Sequence, residues 1–159
     1  MAPQARLQLR QIAPESNQAL AAFGAAAADG AIKAGVEEEI VHFLNIRISQ
    51  INACAFCIDM HTIDARAAGV SEQRIYLLSG WDHATGIYSD RERAALEFAE
   101  AITRLEQSGV GDEVYARVRE AFTEEQVGHL IFLSTAMNAW NRIAVSARMV
   151  PGHYRRREA

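Results

Sequence analysis

Residues 49–62 read SQINACAFCIDMHT, and they contain both cysteines of the 159-residue chain, Cys54 and Cys57. His61 follows the second cysteine by four residues. In a helix, residues at that spacing lie on one face, with their Cβ atoms about 5–6 Å apart. An imidazole so placed can take a thiol proton directly or through one water. The stretch therefore predicts a helical dithiol site in which His61 handles protons.

The composition is that of an ordinary globular protein. Half of the residues are hydrophobic and 23% are charged, and the length suits one domain, so we predict a single domain over 1–159. The net charge of −4 argues against nucleic acid as a main partner. No run approaches the roughly 20 apolar residues of a membrane span, and no signal-type apolar segment opens the chain. We therefore expect a cytoplasmic protein without a membrane partner.

Helical signals recur along the chain, whereas strand signals are poor. The three prolines are Pro3, Pro14 and Pro151, so ring chemistry blocks no helix between the last two. Apolar residues step by three and four, and Ser89–Glu92 and Thr123–Gln126 match the capping box that opens a helix. We predict helices over about 14–28 (stopped at Asp29-Gly30), 36–51, the cysteines to Gly69, 71–78, 90–105, 112–122 and 124–149, with a loop at 80–89.

Short connections between these helices predict antiparallel neighbours in an all-α helical bundle. The last helix carries apolar residues on several faces rather than on one stripe. Such a helix is buried on several sides, so it is either a central core helix or part of a subunit interface.

The dithiol is predicted to lie in the first turns of its helix, with Asn52 as a cap. Free backbone N–H groups and the positive end of the helix dipole favour a thiolate there and lower the cysteine pKa from about 8.5. Cys57 and His61 share a face, so we expect Cys57 to be the more buried thiol and Cys54 the more exposed one. We hypothesise that the Cys57 thiolate attacks a hydroperoxide and becomes a sulfenic acid, which Cys54 then resolves to a disulfide.

Two other interpretations of the cysteines stay open. They can be small core residues, since free cysteine is often buried. They can also bind zinc with His61, which makes three ligands, one fewer than a structural zinc site needs, and His42 or His83 would have to complete the set. A structural disulfide is less expected, because such disulfides are rare in the cytosol.

Three segments together resemble one known family. Residues 49–62, the following DARAAG at 64–69 and NAWNR at 138–142 are similar to the AhpD-like alkylhydroperoxidases of the carboxymuconolactone decarboxylase superfamily. The resemblance implies an AhpD-like all-α bundle of about six to eight helices. It also implies a homo-oligomer, either a trimer or a hexamer.

The same resemblance implies thiol peroxidase chemistry without a cofactor or metal. Cys57 would be the peroxidatic cysteine, Cys54 the resolving cysteine, and His61 part of a proton relay. The partners would be a small hydroperoxide and a thiol reductant, which is a lipoylated protein in some members of the family.

One position departs from the family pattern. The relay of the family includes a glutamate twelve residues before the first cysteine, where this chain has His42. Glu39 lies one turn earlier and could reach part of the same space, whereas Glu37 and Glu38 are less favourably phased. A histidine can relay a proton, but it brings no negative charge to orient His61. The alternative is that His42 is only a surface or interface residue.

Two other functions compete with the peroxidase. A redox-sensing or binding oligomer would use the disulfide to change assembly without turnover. A lactone decarboxylase, borrowed from the wider superfamily, would leave Cys54 and Cys57 unexplained.

Overall fold

A computed structural model describes residues 4–106 and 109–156 of the chain. Within those residues it contains eight α-helices, one 3₁₀ turn and no strand, as the all-α prediction expects. The helices are α1 (Leu9–Ile12), α2 (Pro14–Lys33), α3 (Glu38–Ile51), α4 (Ala55–Ala67), α5 (Glu72–Leu77), α6 (Asp90–Arg104), α7 (Asp112–Ala121) and α8 (Glu124–Ala147), and the 3₁₀ turn spans Leu78–Gly80. None of the described helices is both long enough and apolar enough to cross a bilayer.

Most helix boundaries follow from local capping chemistry. Both predicted capping boxes are present, at the starts of α6 and α8, and in each the side chains of the cap and third residue satisfy backbone N–H groups reciprocally. Ser71 caps α5. Gly69 follows α4 with φ of +91°, a conformation that glycine adopts without strain. The local signals therefore placed these ends correctly.

The predicted stop at Asp29-Gly30 is wrong, because α2 continues to Lys33. Gly30 serves helix packing instead. A Cβ atom at this position would lie 2.6 Å from Cε1 of His129, so the missing side chain lets α2 approach α8 closely. The turn after α2 uses Gly35, whose φ is +86°. Two smaller differences are that Gly111 rather than Asp112 caps α7 and that α8 ends at Ala147 rather than near Met149.

Helix α8 lies at the centre of the bundle and packs against α2, α3, α4, α6 and α7. This confirms the core-helix interpretation of its scattered apolar residues. Several polar side chains of α8 are nevertheless buried, namely Gln126, Ser134, Asn138 and Asn141. Ile131, Phe132 and Val145 are exposed on the same helix.

Helices α3 and α4 form a tight hairpin beneath α8. Asn52 ends α3, Ala53 takes a positive φ of 52°, and Cys54 is already the N-cap of α4. The Cys54 N–H donates to the carbonyl oxygen of Ser49 at 2.9 Å, which closes the turn. The dithiol therefore sits at a corner between two helices, not in the middle of one.

Candidate dithiol site

Cys54 and Cys57 face each other across the first turn of α4. The Sγ atom of Cys54 accepts a hydrogen bond from the Cys57 backbone N–H at 3.4 Å. The two Sγ atoms are 2.6 Å apart, and both thiols are free. Cys54 is thus the helix cap that the sequence assigned to Asn52, and the pair can join without rearrangement of the helix.

Both thiols are buried, with exposed fractions of 1% for Cys54 and 2% for Cys57. The expectation that Cys54 is more exposed is wrong, because α8 covers the α3–α4 corner, where Asn138 and Asn141 accept hydrogen bonds from Asn52. The two cysteines differ in access instead. Cys57 lines a large cavity that Cys54 does not reach.

The two sulfurs share a proton unequally. The hydrogen bond between the two thiols, against the effect of burial, lowers the pKa of Cys54 to about 7. The same bond raises the pKa of Cys57, and burial raises it as well. The helix N-terminus favours charge on its cap in the same direction. Near neutral pH the pair therefore holds its negative charge mainly on Cys54.

His61 lies one turn after Cys57 and lines the same cavity. Burial, with a smaller contribution from His42, lowers the pKa of His61 to about 4. His61 is therefore neutral at pH 7. Across residues 4–106 and 109–156, no direct hydrogen bond joins its ring to either sulfur, so a proton would pass between them through water.

His42 is the residue that the structure brings next to His61. Its side chain is 14% exposed, and both ring nitrogens are buried without a hydrogen-bond partner in the described structure. Burial lowers the pKa of His42, although Glu38 and Asp64 oppose that shift. Burial thus favours the neutral form of both His42 and His61, where the family pattern has a histidine and a carboxylate.

The nearby carboxylate is Glu38, not Glu39. Glu38 Oε1 is 3.7 Å from His42 Nε2. Glu39 instead accepts a hydrogen bond of 2.7 Å from Arg74. The spacing favoured Glu39 over Glu38 as the carboxylate near His42. This expectation is wrong, because Arg74 of α5 binds Glu39.

A polar cavity of about 450 Å³, which neither cysteine lines, borders His42. Asp64 and three residues of the C-terminal segment, Tyr154, Arg155 and Arg156, complete its lining. The Tyr154 hydroxyl donates to Asp64 at 2.9 Å and holds that segment in place. His42 thus borders a polar cavity, although both of its ring nitrogens are themselves buried.

A second, larger cavity of about 840 Å³ meets Cys57 and His61. Helices α2, α4 and α8 form its walls, and residues 4–10 extend over it, held by a 2.8 Å hydrogen bond from Arg6 N to Ala147 O. Most of its lining is apolar, including Phe56, Met60, Met137 and Trp140. This volume is in the range of pockets that hold small organic molecules.

The sequence reasoning missed a buried network of amides around the thiols. Asn52 Nδ2 donates to Asn138 Oδ1 and to Asn141 Oδ1, each at 2.9 Å. Asn141 Nδ2 in turn donates to Ser49 Oγ at 3.1 Å. The available signal was the spacing of Ser134, Asn138 and Asn141, which puts three polar residues on one side of an apolar helix.

Two of the remaining histidines lie away from the dithiol, whereas His153 lines the cavity that Cys57 and His61 share. The His83 side chain is 92% exposed, and His129 packs against Gly30. In the part of the chain that the structure describes, no group of three or more His, Cys, Asp or Glu side chains is arranged to hold a metal ion.

Comparisons with known proteins agree with this fold. The model of the carboxymuconolactone decarboxylase family matches residues 14–101, which include His42, both cysteines and His61. The uncharacterized protein YdfG of Bacillus subtilis (strain 168) is 50% identical over 103 residues, covering 65% of this chain and 69% of that protein.

Two solved structures share the fold. A protein of unknown function from Agrobacterium tumefaciens, described as a candidate antioxidant defence protein AhpD, is 32% identical with a TM-score of 0.87, covering 95% of this chain and 100% of that one. The debrominase Bmp8, solved with 2,3,4-tribromopyrrole, is 14% identical with a TM-score of 0.77, covering 90% of this chain and 74% of that one. The second likeness concerns the fold alone, which supports more than one chemistry.

The lowered pKa of His61 predicts a loss of stability in acid. Between its ordinary value of 6.5 and about 4, the unfolded chain binds a proton that the folded chain refuses. Stability therefore falls as the pH drops through this window. His61→Gln should remove part of that fall, on the order of 1 kcal/mol between about pH 7 and pH 5, measured by urea unfolding. The exposed His83→Gln is the control, and its free energy of unfolding should fall with decreasing pH as steeply as that of the parent. If the free energy of unfolding of His61→Gln also falls as steeply as that of the parent, the prediction is contradicted.

Proposed function

Because the chain belongs to the carboxymuconolactone decarboxylase family as an AhpD-like member, we propose that it is a thiol-dependent peroxidase that reduces hydroperoxides through a Cys54–Cys57 disulfide cycle. One observation carries the proposal. Two buried sulfurs lie 2.6 Å apart, and Cys57 meets a mostly apolar cavity whose wall also holds His61. A substrate in that cavity can reach Cys57, and the product of its attack lies beside a second thiol.

The proposed cycle starts from the shared proton. As the substrate arrives, the Cys57 proton passes to Cys54, and the Cys57 thiolate attacks the terminal oxygen of the hydroperoxide. The O–O bond breaks, the alcohol leaves with a proton, and Cys57 becomes a sulfenic acid. Cys54 then attacks the Cys57 sulfur, so that the disulfide forms and water leaves. An external thiol reductant supplies two electrons and restores the dithiol.

Proton balance gives the histidines a role. The cysteine pair begins with one thiol proton. Besides the proton that the hydroperoxide itself carries, the alcohol and the water together need two. The second proton must come from solvent, and the cavity beside Cys57 is lined mostly by apolar residues. We assign the delivery to His42 and His61. His42 borders the polar cavity, and its unpartnered ring neighbours His61 on the other side.

The substrate class follows from the larger cavity. Its volume of about 840 Å³ and its largely apolar wall suit an organic hydroperoxide with a bulky apolar group better than hydrogen peroxide. The reductant, a lipoylated protein or another thiol, and assembly as a trimer or hexamer are also part of the proposal. The exposed Ile131, Phe132 and Val145 on α8 support a subunit contact.

Replacing each cysteine should separate their roles. With dithiothreitol or dihydrolipoamide as reductant, we expect steady consumption of cumene hydroperoxide by the parent and a loss of at least about 100-fold in Cys57→Ser. Cys54→Ser should react once and leave a sulfenic acid on Cys57, which dimedone labelling and mass analysis detect.

A sulfenic acid on Cys54 in Cys57→Ser, with none on Cys57 in Cys54→Ser, would reverse the assignment. A single oxidation without turnover, coupled to a change in oligomer size, would favour the redox sensor over the peroxidase.

His42 should matter to the rate if it delivers protons. We expect His42→Ala to lower the peroxide rate by about 10- to 100-fold and to move its pH profile, because the route from the polar cavity is interrupted. His42→Glu, which restores the carboxylate of the family, should recover much of the rate. Glu39→Gln is the matched control one turn away and should change neither quantity. An unaltered rate and profile in His42→Ala would remove this residue from the relay.

Two adjacent alanines of α2 test the cavity. Ala25 and Ala26 are both exposed, but only Ala25 lines the cavity. Ala25→Leu should raise the KM for cumene hydroperoxide by about tenfold by filling space, while the rate with hydrogen peroxide stays near that of the parent. Ala26→Leu should leave both unchanged, since leucine is a good helix former. Equal effects of the two substitutions would contradict binding in this cavity.

A further inference from the structure

Asn141 is a buried amide on α8 to which the cycle described above gives no role. Its exposed fraction is 0%. Its oxygen accepts from Asn52 Nδ2 at 2.9 Å, and its nitrogen donates to Ser49 Oγ at 3.1 Å. An asparagine amide has two N–H donors. These bonds use the oxygen and one N–H, so a second N–H is left for another acceptor.

The Ser49 end of the network fixes which way the amide points. The Ser49 hydroxyl donates its only proton to the carbonyl oxygen of Asn45 at 2.7 Å. Its oxygen can therefore only accept from Asn141. Asn141 must present its NH₂ group, not its oxygen, toward α3.

The hydrogen bonds at the Asn138 end of the network independently give the same orientation of the Asn141 amide. Arg142 has only donors, and its Nη1 donates to Asn138 Oδ1 at 2.8 Å. Asn138 Oδ1 is thus an acceptor, so Asn52 must donate to it, and the same Asn52 nitrogen donates to Asn141 Oδ1. An amide flip at Asn141 would break the bonds on both sides.

This oriented NH₂ group lies at the dithiol corner, because its acceptor Ser49 also binds the Cys54 backbone N–H through its carbonyl oxygen at 2.9 Å. The Cys57 thiol is the main cause of the low pKa of Cys54, and Asn141 contributes in the same direction. Asn141 also acts to lower the pKa of Cys57, although the larger effects of Cys54 and burial raise it. One amide therefore favours the deprotonated form of either sulfur.

We propose that Asn141 is a catalytic residue whose second amide N–H hydrogen-bonds to whichever sulfur carries negative charge during the cycle. This role in turnover rests on the proposed peroxidase function, whereas the hydrogen bond itself does not. In the resting pair the N–H supports the Cys54 thiolate. When the proton moves to Cys54, the same N–H can support the attacking Cys57 thiolate without rotation of the amide. On reduction of the disulfide it stabilises the thiolate that leaves.

The direct test is the thiolate titration of the reduced protein, followed by absorbance at 240 nm without peroxide. Asn141→Ala should raise the first titration midpoint by about one pH unit, because a hydrogen bond to a charged group is lost. Asn141→Asp keeps the oxygen that Asn52 needs, replaces the N–H donors and adds negative charge, so it should raise the midpoint at least as far. Asn141→Asp also provides the titration test if Asn141→Ala does not fold.

Asn138→Ala is the matched control, since it removes an amide of the same network one turn away on α8. It should shift the midpoint clearly less than Asn141→Ala. His61, with its pKa near 4, titrates outside this range. A midpoint that stays at the parent value in Asn141→Asp, or equal shifts in the Asn138 and Asn141 alanine variants, would overturn the proposal. If the parent lacks peroxide turnover but the midpoint shifts as expected, the peroxidase function fails and the hydrogen bond stands.

Discussion

The α3–α4 corner is pinned to the central helix by amide hydrogen bonds, and the geometry of the dithiol depends on that attachment. Asn52 at the corner donates to two asparagines of α8, and Ser49 accepts from one of them. Buried amides are costly when unpaired, so the network tolerates one arrangement rather than several. Apolar packing alone would hold the corner against α8 but would leave the orientation of the sulfurs less defined.

The attachment also divides the surroundings of the pair. On one side, Cys57 meets an apolar cavity large enough for an organic molecule. On another, His61 and His42 lead toward a polar cavity under the C-terminal segment. Of the two histidines, His61 lines the apolar cavity and His42 the polar one, so each cavity meets a different member of the pair.

Local chemistry explains why so much of the fold was predictable. The capping boxes at Ser89 and Thr123 act within four residues, and the helical register of Cys57 and His61 needs no knowledge of distant contacts. The errors came from contacts distant in sequence. In the sequence, Gly30 resembles a helix stop, but in the fold it makes room for His129. Glu39 likewise resembles a relay group, but in the fold it binds Arg74. The burial of Cys54 likewise depends on α8.

The N-cap position of Cys54 links oxidation state to the backbone of α4. In the reduced protein, an electron-rich sulfur accepts the Cys57 N–H at the positive end of the helix. A disulfide sulfur is neutral and a weaker acceptor, so oxidation removes charge from this helix end. If the proposed disulfide forms, the amide proton of Cys57 would exchange with solvent more readily and its chemical shift would move. The first turn of α4 would thereby report the redox state without an added label.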